Sequence, residues 1–226
     1  MNLRPAVVLL ATLVGAALLA GCGQGLSRGP GIAKLWITRD RGTVVLFRTT
    51  VPAGETAMQA LQANAKVETR YGGRFVQSID GVAGSAAGQR DWFWYVNGLE
   101  GGTSAAEYEL RDGDVEWWDY RSWRGALSVP VVVGAFPEPF LHGFGGKVPP
   151  AVVVGSGLAA EELARVVHGK VVSAAPKDAN VLEIVPGRGL TATRHGDRVV
   201  FRLGSLDAPR LAADPSLARL RYRGLP

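Results

Sequence analysis

Cysteine is almost absent from this sequence, since Cys22 is the only one among 226 residues. A single cysteine excludes a disulfide within the chain and a zinc site built from several thiolates. Histidine is scarce as well, and the three that occur are far apart, at His142, His168 and His195. Because close pairs of histidine, cysteine and carboxylate residues are missing, the sequence predicts no bound metal. Gly155–Ala160 fits a dinucleotide-binding pattern, but a glycine turn before a helix explains it structurally, so no other cofactor is expected.

Charge is missing from most of the first 21 residues, where Arg4 is the only charged side chain. A cation before an apolar run that ends in Ala20-Gly21 is typical of a signal peptide, here over residues 1–21. The apolar run is shorter than the roughly 20 residues that a membrane-spanning helix needs. An ordinary secretory signal followed by an incidental cysteine is one interpretation of this leader.

The other interpretation rests on Leu19-Ala20-Gly21-Cys22, which resembles the lipobox of bacterial lipoproteins. The resemblance implies that Cys22 receives a diacylglycerol with palmitate-type chains and becomes the N-terminus of the processed protein. Two acyl chains hold a protein stably at a bilayer, whereas one chain holds it only marginally. We therefore expect a protein anchored at the extracytoplasmic face of the bacterial cell membrane.

Net charge is low, +5 for the whole chain, and it is unevenly distributed. Residues 23–126 carry twelve basic and twelve acidic side chains, whereas residues 127–226 carry twelve basic and eight acidic ones. So modest an excess does not favour a nucleic-acid partner. Arg219, Arg221 and Arg223 either contact anionic lipid headgroups or form the solvated face of a strand.

Composition and periodicity divide the rest of the chain into three parts. Residues 22–32 are rich in Gly, with one Gln, one Ser and one Pro, and predict a flexible linker. Residues 33–124 form a first domain, and residues 127–226 form a second, small basic α/β domain of no recognised family. In the first domain, strands are predicted over 33–38, 43–50, 67–70 and 75–79, with a helix over 57–65 that Thr56 caps.

Two strands of the first domain are unusually aromatic. Trp92–Val96 and Val115–Tyr120 carry large apolar side chains on both faces, and Asn97-Gly98 predicts a tight turn after the first of them. An antiparallel strand with one solvated face should alternate apolar and polar residues. These two strands are therefore either covered on both faces or exposed in part to a ligand.

The order of motifs over about ninety residues resembles the transcobalamin C-terminal-like domain, a β-grasp-type module of bacterial surface proteins and vertebrate vitamin B12 carriers. The resemblance rests on Ser78-Ile79-Asp80-Gly81, on Trp92-Phe93-Trp94-Tyr95-Val96-Asn97-Gly98, and on Tyr108-Glu109-Leu110-Arg111-Asp112-Gly113-Asp114 before Trp117. It implies an α+β fold, with a mixed sheet and one helix, and a module that closes over cobalamin. In the vertebrate carriers a larger helical domain completes that site, and this chain has no counterpart of it.

A planar ligand favours large planar side chains. The candidate ligand-binding residues are Phe93, Tyr95, Trp118 and Tyr120, expected on the strand faces opposite to a core that holds Trp92, Trp94 and Trp117. The alternative is that all seven pack in the core or between domains.

In the second domain, a strand–helix–strand pattern predicts a βαβ unit. Strands are expected over 129–133, 151–154, 170–174, 181–185, 190–194 and 198–203, with a helix over 159–167. Glu138 and His142 could face one another across a Pro/Gly-rich loop, but a pair without a third, orienting group is weak evidence of catalysis.

No catalytic constellation is visible, so we expect a protein that is not an enzyme. The first hypothesis is a surface lipoprotein that binds a planar small molecule such as cobalamin and serves a membrane transporter. The alternative is a non-catalytic interaction or adhesion module that binds a protein or an envelope polymer.

Overall fold

The computed structural model describes residues 31–226. The signal peptide, Cys22 and nearly all of the expected linker therefore lie outside the described residues. The strands are β1 (Ile32–Arg39), β2 (Val44–Pro52), β3 (Val67–Arg70), β4 (Phe75–Ile79), β5 (Val82–Ala83), β6 (Arg90–Val96), β7 (Leu99–Glu100), β8 (Val115–Ser122), β9 (Ala151–Val154), β10 (Lys170–Val172), β11 (Asn180–Val185), β12 (Leu190–His195) and β13 (Arg198–Gly204). The helices are α1 (Ala57–Asn64), α2 (Leu158–Val166) and α3 (Ala208–Ala213).

The first sheet has the strand order β2-β1-β8-β6-β7. Its central pair, β1 and β8, runs parallel, whereas the other neighbours run antiparallel. One face packs against α1 and against a small sheet of order β3-β4-β5. Met58 and Leu61 of α1 are buried in this core, as the helical spacing of the sequence predicts. The architecture is thus a mixed α+β fold dominated by sheets.

The other face of the first sheet is also covered. Trp36, Tyr95 and Trp117 lie on this face and pack against Val132 and Tyr222 from the C-terminal half. β6 and β8 are therefore central strands with two buried faces, which explains why their sequences do not alternate.

The third sheet, of order β10-β9-β11-β13-β12, is parallel except for the β12–β13 hairpin. β9 and β10 are joined by α2, so these three elements form a βαβ unit. α2 and α3 pack together, and their apolar side chains share one core with Val153, Leu182 and Phe201 of the sheet. α3 is not among the predicted elements, because it has only six residues and contains a proline in its first turn.

The strand expected over 129–133 is wrong. The segment forms only an isolated bridge between Val131 and Leu99, and a short 3-10 helix begins at Val133. Pro130 has no N–H to donate, so a regular ladder cannot run through this position. The segment instead places Val132 and Ala135 against the first sheet.

The end of the chain is not a strand with one face of solvated arginines, which corrects that expectation. A 3-10 helix at Pro215–Ala218 is followed by irregular backbone in which Leu220 and Tyr222 are buried. Leu99, conversely, packs in the core of the C-terminal half. The expected boundary between residues 124 and 127 stays a prediction.

Within residues 31–226, no helix combines the length and the apolar character needed to cross a membrane.

Candidate functional site

The four aromatic candidates do not share a face of the sheet. Trp94 pairs directly with Trp118, and Tyr95 pairs directly with Trp117, so each pair projects to the same side. Phe93 and Tyr95 consequently lie with Trp117, whereas Trp118 and Tyr120 lie with Trp92 and Trp94. The expectation of one face carrying all four is wrong, because sequence alone did not give the register between β6 and β8.

Phe93 and Tyr95 are engaged in packing on the face toward the C-terminal half. The guanidinium carbon of the buried Arg121 lies 3.5 Å from the centre of the Phe93 ring. The Tyr95 ring is inaccessible to solvent and packs against Trp117 and Tyr222. Burial raises the pKa of Tyr95 to about 12. Tyr95 lines none of the hollows described below, and its proposed binding role stays a prediction.

Trp118 and Tyr120 are buried on the opposite face, toward α1. The Trp118 indole N–H donates to the Glu116 carboxyl, and its ring stacks with Trp94 at 6.0 Å between centroids. The Tyr120 hydroxyl donates to the Ala83 carbonyl at 3.0 Å. Trp118 borders a hollow although it is only 2% exposed, and Phe93 borders a neighbouring hollow.

An aromatic cleft on this side of the molecule was not foreseen from the sequence. Three adjoining hollows of about 330, 270 and 210 Å³ share one lining residue, Phe75 of β4. We define the aromatic cleft by the residues that line more than one of these hollows: Phe75, Asp91, Trp92, Trp94 and Trp123.

Phe75 is the most accessible member of the cleft, with 42% of its surface exposed. It begins β4, directly after the Gly72-Gly73 turn, and the buried Val76 beside it points into the core. The alternation of β4 places Phe75 on the side away from that core. A large apolar residue at the solvated position of an alternating strand was the signal in the sequence that could have identified it.

The tryptophans of the cleft are held rigidly. The Trp92 indole N–H donates to the Val82 carbonyl at 2.7 Å. The Gly101 backbone lies against the Trp94 ring, since a Cβ at this glycine would come within 2.0 Å of it. Polar groups lie at the edges: burial raises the pKa of Asp91, and Arg74 pairs with Glu107. The cleft is thus a preformed aromatic surface whose hollows are also lined by polar side chains, among them Arg70, Arg74 and Glu100.

A separate hollow of about 760 Å³ lies between the first sheet and the C-terminal half. Trp36 lines it together with Lys34, Arg48 and Arg219. Glu138 and His142, which the sequence suggested could face one another, also line this hollow. His142 Nδ1 lies 2.7 Å from Glu138 Oε1.

Glu138 is buried, and this burial raises its pKa, although the neighbouring His142 partly offsets the effect. The backbone N–H of His142 also donates to Glu138 Oε2, at 3.0 Å. The other ring nitrogen of His142 is packed against the Gly113 backbone, where a Cβ would approach it to 2.4 Å. The geometry fixes the loop at His142, and the pair is therefore best explained as a structural contact.

Among residues 31–226, no three His, Cys, Asp or Glu side chains are grouped closely enough to hold a metal ion.

Comparison with known proteins gives partial matches. A protein-family model described as "Domain of unknown function (DUF4430)" matches residues 54–122, less than half of the chain. No curated protein matches the sequence.

Two solved structures are similar to this chain over 41% of its length. One is a candidate metal-binding protein from Ruminococcus gnavus ATCC 29149, with 18% identity, a TM-score of 0.34 and 97% of that protein covered. The other is haptocorrin in complex with Cbi, with 14% identity and a TM-score of 0.32. The chain spans 26% of the haptocorrin chain. At these TM-scores, neither likeness identifies a ligand for this protein.

Proposed function

We propose that this protein is a non-catalytic, lipid-anchored module that binds a planar small molecule in the aromatic cleft, outside the cytoplasm. The observation that supports this most directly is Phe75, which lies 42% exposed at the centre of three adjoining hollows. The first domain, with β1 and β8 parallel at its centre and α1 on one face, would then be a β-grasp module.

The chemistry of the cleft suits a flat ligand that stacks on aromatic rings. Aromatic rings offer large contact areas and lose little conformational entropy, because each has only two side-chain torsions. The hollows lie at or below the lower end of the volume range typical of ligand sites. A ligand as large as a corrin would cover the cleft and leave its second face exposed. We propose that a membrane partner, such as a transporter, contacts that second face.

Binding can be tested with cobalamin, cobinamide and haem. The full-length chain in neutral detergent is titrated by equilibrium dialysis, with tryptophan fluorescence as a second measure. Phe75→Ala keeps every tryptophan, so any loss of quenching reflects weaker binding. We expect the Kd to rise about tenfold, roughly the 1.4 kcal/mol expected from losing one aromatic contact.

Phe47→Ala is the matched control, because Phe47 is 38% exposed on a different strand and lies outside the cleft. It should leave the Kd unchanged. A planar-ligand site in the cleft would be contradicted if both variants weakened binding equally. It would also be contradicted if none of the three compounds bound saturably.

The lipid anchor is a separate part of the proposal. Cells given labelled palmitate should incorporate it into the protein, and Cys22→Ala should abolish the label and release the chain from the membrane fraction. A Cys22→Ala variant that stays in the membrane fraction would contradict the anchor and leave the cleft hypothesis intact.

A second candidate function is an interaction module, and the exposed edge of the first sheet favours it. Within residues 31–226, β2 pairs with β1 alone, and its other side has no partner strand there. Its side chains at Val44, Val45, Leu46 and Phe47 are between 38% and 47% exposed. An open apolar edge strand can accept an extended segment from a protein partner.

Variants of the β2 edge and of the aromatic cleft distinguish the interaction module from the small-molecule binder. If β2 is the binding edge, Val45→Lys should reduce co-sedimentation of the purified chain with isolated cell envelopes, and Phe75→Ala should not. The opposite pattern would favour the aromatic cleft.

A further inference from the structure

Four arginines converge on one hollow at the junction of the two halves of the chain. We define the arginine hollow by Arg41 from the β1–β2 turn and by Arg219, Arg221 and Arg223 from the chain end. Its volume is about 490 Å³, and Gly42, Thr43, Leu220 and Tyr222 complete its wall. The four residues belong to segments about 180 positions apart in sequence, so tertiary folding alone brings them together.

None of these four arginines forms an ion pair within the described part of the chain. Among residues 31–226, ion pairs form at nine places, and none involves these four side chains. Arg41, Arg219 and Arg223 are exposed, and Arg221 is half-buried. A guanidinium group without an acidic partner is available to bind an anion, and four of them line this one hollow.

The backbone that carries the arginines is fixed by a buried carboxylate. Asp119 accepts hydrogen bonds from the N–H groups of Arg41 and Gly42, at 3.1 and 3.2 Å. Its Oδ2 also accepts from the Tyr222 hydroxyl at 2.8 Å. One side chain therefore holds both arginine-bearing segments, and a ligand would not have to order them on binding.

Both segments adopt the left-handed backbone conformation that non-glycine residues rarely occupy. Arg41 has φ of 60° and Leu220 has φ of 58°. The Gly42 backbone touches the Leu220 carbonyl oxygen, because a Cβ on Gly42 would lie 2.0 Å from it. Backbone strain of this kind tends to collect at binding sites. The guanidinium carbon of Arg41 also lies 5.7 Å from the centre of the Tyr222 ring, which restricts where the side chain can point.

We propose that the arginine hollow binds a phosphate group. Arginine presents several N–H donors in a planar fork that matches the oxygens of a phosphate, and it keeps its charge at all physiological pH values. The phosphate can come from an anionic lipid headgroup or from a soluble phosphorylated molecule. The apolar residues Val44 and Val45 follow directly on Thr43 of the hollow and are exposed, which suits a phosphate attached to acyl chains.

The test is isothermal titration calorimetry of the full-length chain in neutral detergent at constant ionic strength. The probes are dihexanoyl phosphatidylglycerol, dihexanoyl phosphatidylcholine, inorganic phosphate and sodium chloride. We expect phosphatidylglycerol, inorganic phosphate or both to bind saturably, with one molecule bound per chain. Chloride should give no saturable response. Phosphatidylglycerol that binds much more tightly than inorganic phosphate indicates a lipid source, and similar affinities indicate a soluble one. A preference for phosphatidylcholine would overturn the proposal, because the hollow has no acidic residue for a cationic headgroup.

The double variant Arg41→Gln/Arg221→Gln should weaken phosphate binding about tenfold or more, since each lost charge-assisted contact contributes substantially. The matched control, Arg165→Gln/Lys170→Gln, removes the same charge from exposed positions on α2 and β10. The proposal would be overturned if both double variants weakened binding equally. It would also be overturned if neither phosphatidylglycerol nor inorganic phosphate bound saturably. Circular dichroism establishes that each variant is folded. The aromatic cleft and its ligands do not enter this experiment.

Discussion

At the scale of the residue, two buried carboxyls of β8 differ in their surroundings. Asp119 accepts four hydrogen bonds, from Thr38, Arg41, Gly42 and Tyr222. Glu116 is equally buried but accepts one, from the Trp118 indole, and its second oxygen has no partner. Burial therefore raises the pKa of Glu116 well above its usual 4.5.

This difference predicts how stability depends on pH. Below about pH 4.5 the Glu116 carboxyl is neutral in both the folded and the unfolded chain, so it contributes no pH dependence there. As the pH rises, the unfolded chain loses this proton while the folded chain retains it, and the free energy of unfolding falls. Glu116→Gln should remove this decline and raise the free energy of unfolding at pH 8 by about 1 kcal/mol or more.

Urea unfolding at pH 4 and pH 8 measures the effect. Glu109→Gln, at an exposed position, should leave the pH dependence unchanged. An equal change at both pH values in Glu116→Gln would contradict the prediction.

At the scale of the element, α1 depends on its cap and on its packing. Eight residues are too few for a stable helix in isolation. Thr56 Oγ1 accepts from the Gln59 N–H at 3.2 Å, and the Gln59 side chain accepts from the Thr56 N–H at 2.9 Å. The two contacts form a capping box, which sets the point where the chain enters the helix.

Thr56→Ala should lower the free energy of unfolding by about 1 kcal/mol, because one N–H of the first turn loses its acceptor. The urea midpoint should fall while the slope of the transition stays constant. Thr191→Ala, at an exposed position of β12, is the control and should cost less than half as much. Equal losses in the two variants would show that the cap contributes nothing specific.

Residue type along the sequence was enough to predict those caps and turns that depend on neighbouring residues. The α1 cap at Thr56 and the Asn97-Gly98 turn, with φ of 54° and 79°, were both predictable from residue type. The structure of segment 129–133 was not predictable in this way. Its composition favours a strand, but it contains Pro130 and forms only an isolated bridge with Leu99 among the described residues. Strand pairing is a property of the partner as much as of the sequence itself.

At the scale of the whole molecule, the chain end returns to the first sheet and covers its second face. Tyr222 packs edge-on against Trp117, with 5.6 Å between ring centres, and donates to Asp119. Burial raises the pKa of Tyr222 well above its usual value, so the hydroxyl remains a donor at neutral pH. The two halves of the chain are therefore joined through a buried aromatic and polar contact.

Tyr222→Phe keeps the ring and removes the donor to a buried carboxylate. We expect a loss of about 1.5–3 kcal/mol in the free energy of unfolding, as for hydrogen bonds to charged groups. Hydrogen exchange should accelerate in both β8 and β13, because the contact joins the two halves.

Tyr71→Phe is the control, since Tyr71 is 77% exposed, and it should change neither stability nor exchange. Faster exchange confined to β8 would show that the two halves unfold independently.

The sequence by itself determined most of the helices and strands, the turn at Asn97-Gly98, the proximity of Glu138 to His142, and the sheet-dominated α+β class. These follow from residue type and from periodicity over a few positions. Only the tertiary structure decided the register of β6 against β8, and that register separated Phe93 and Tyr95 from Trp118 and Tyr120. It alone also placed Phe75 between the tryptophans, and Arg41 beside Arg219, Arg221 and Arg223. Such contacts join positions far apart in the chain, and the free energy that selects them comes from packing across the whole fold.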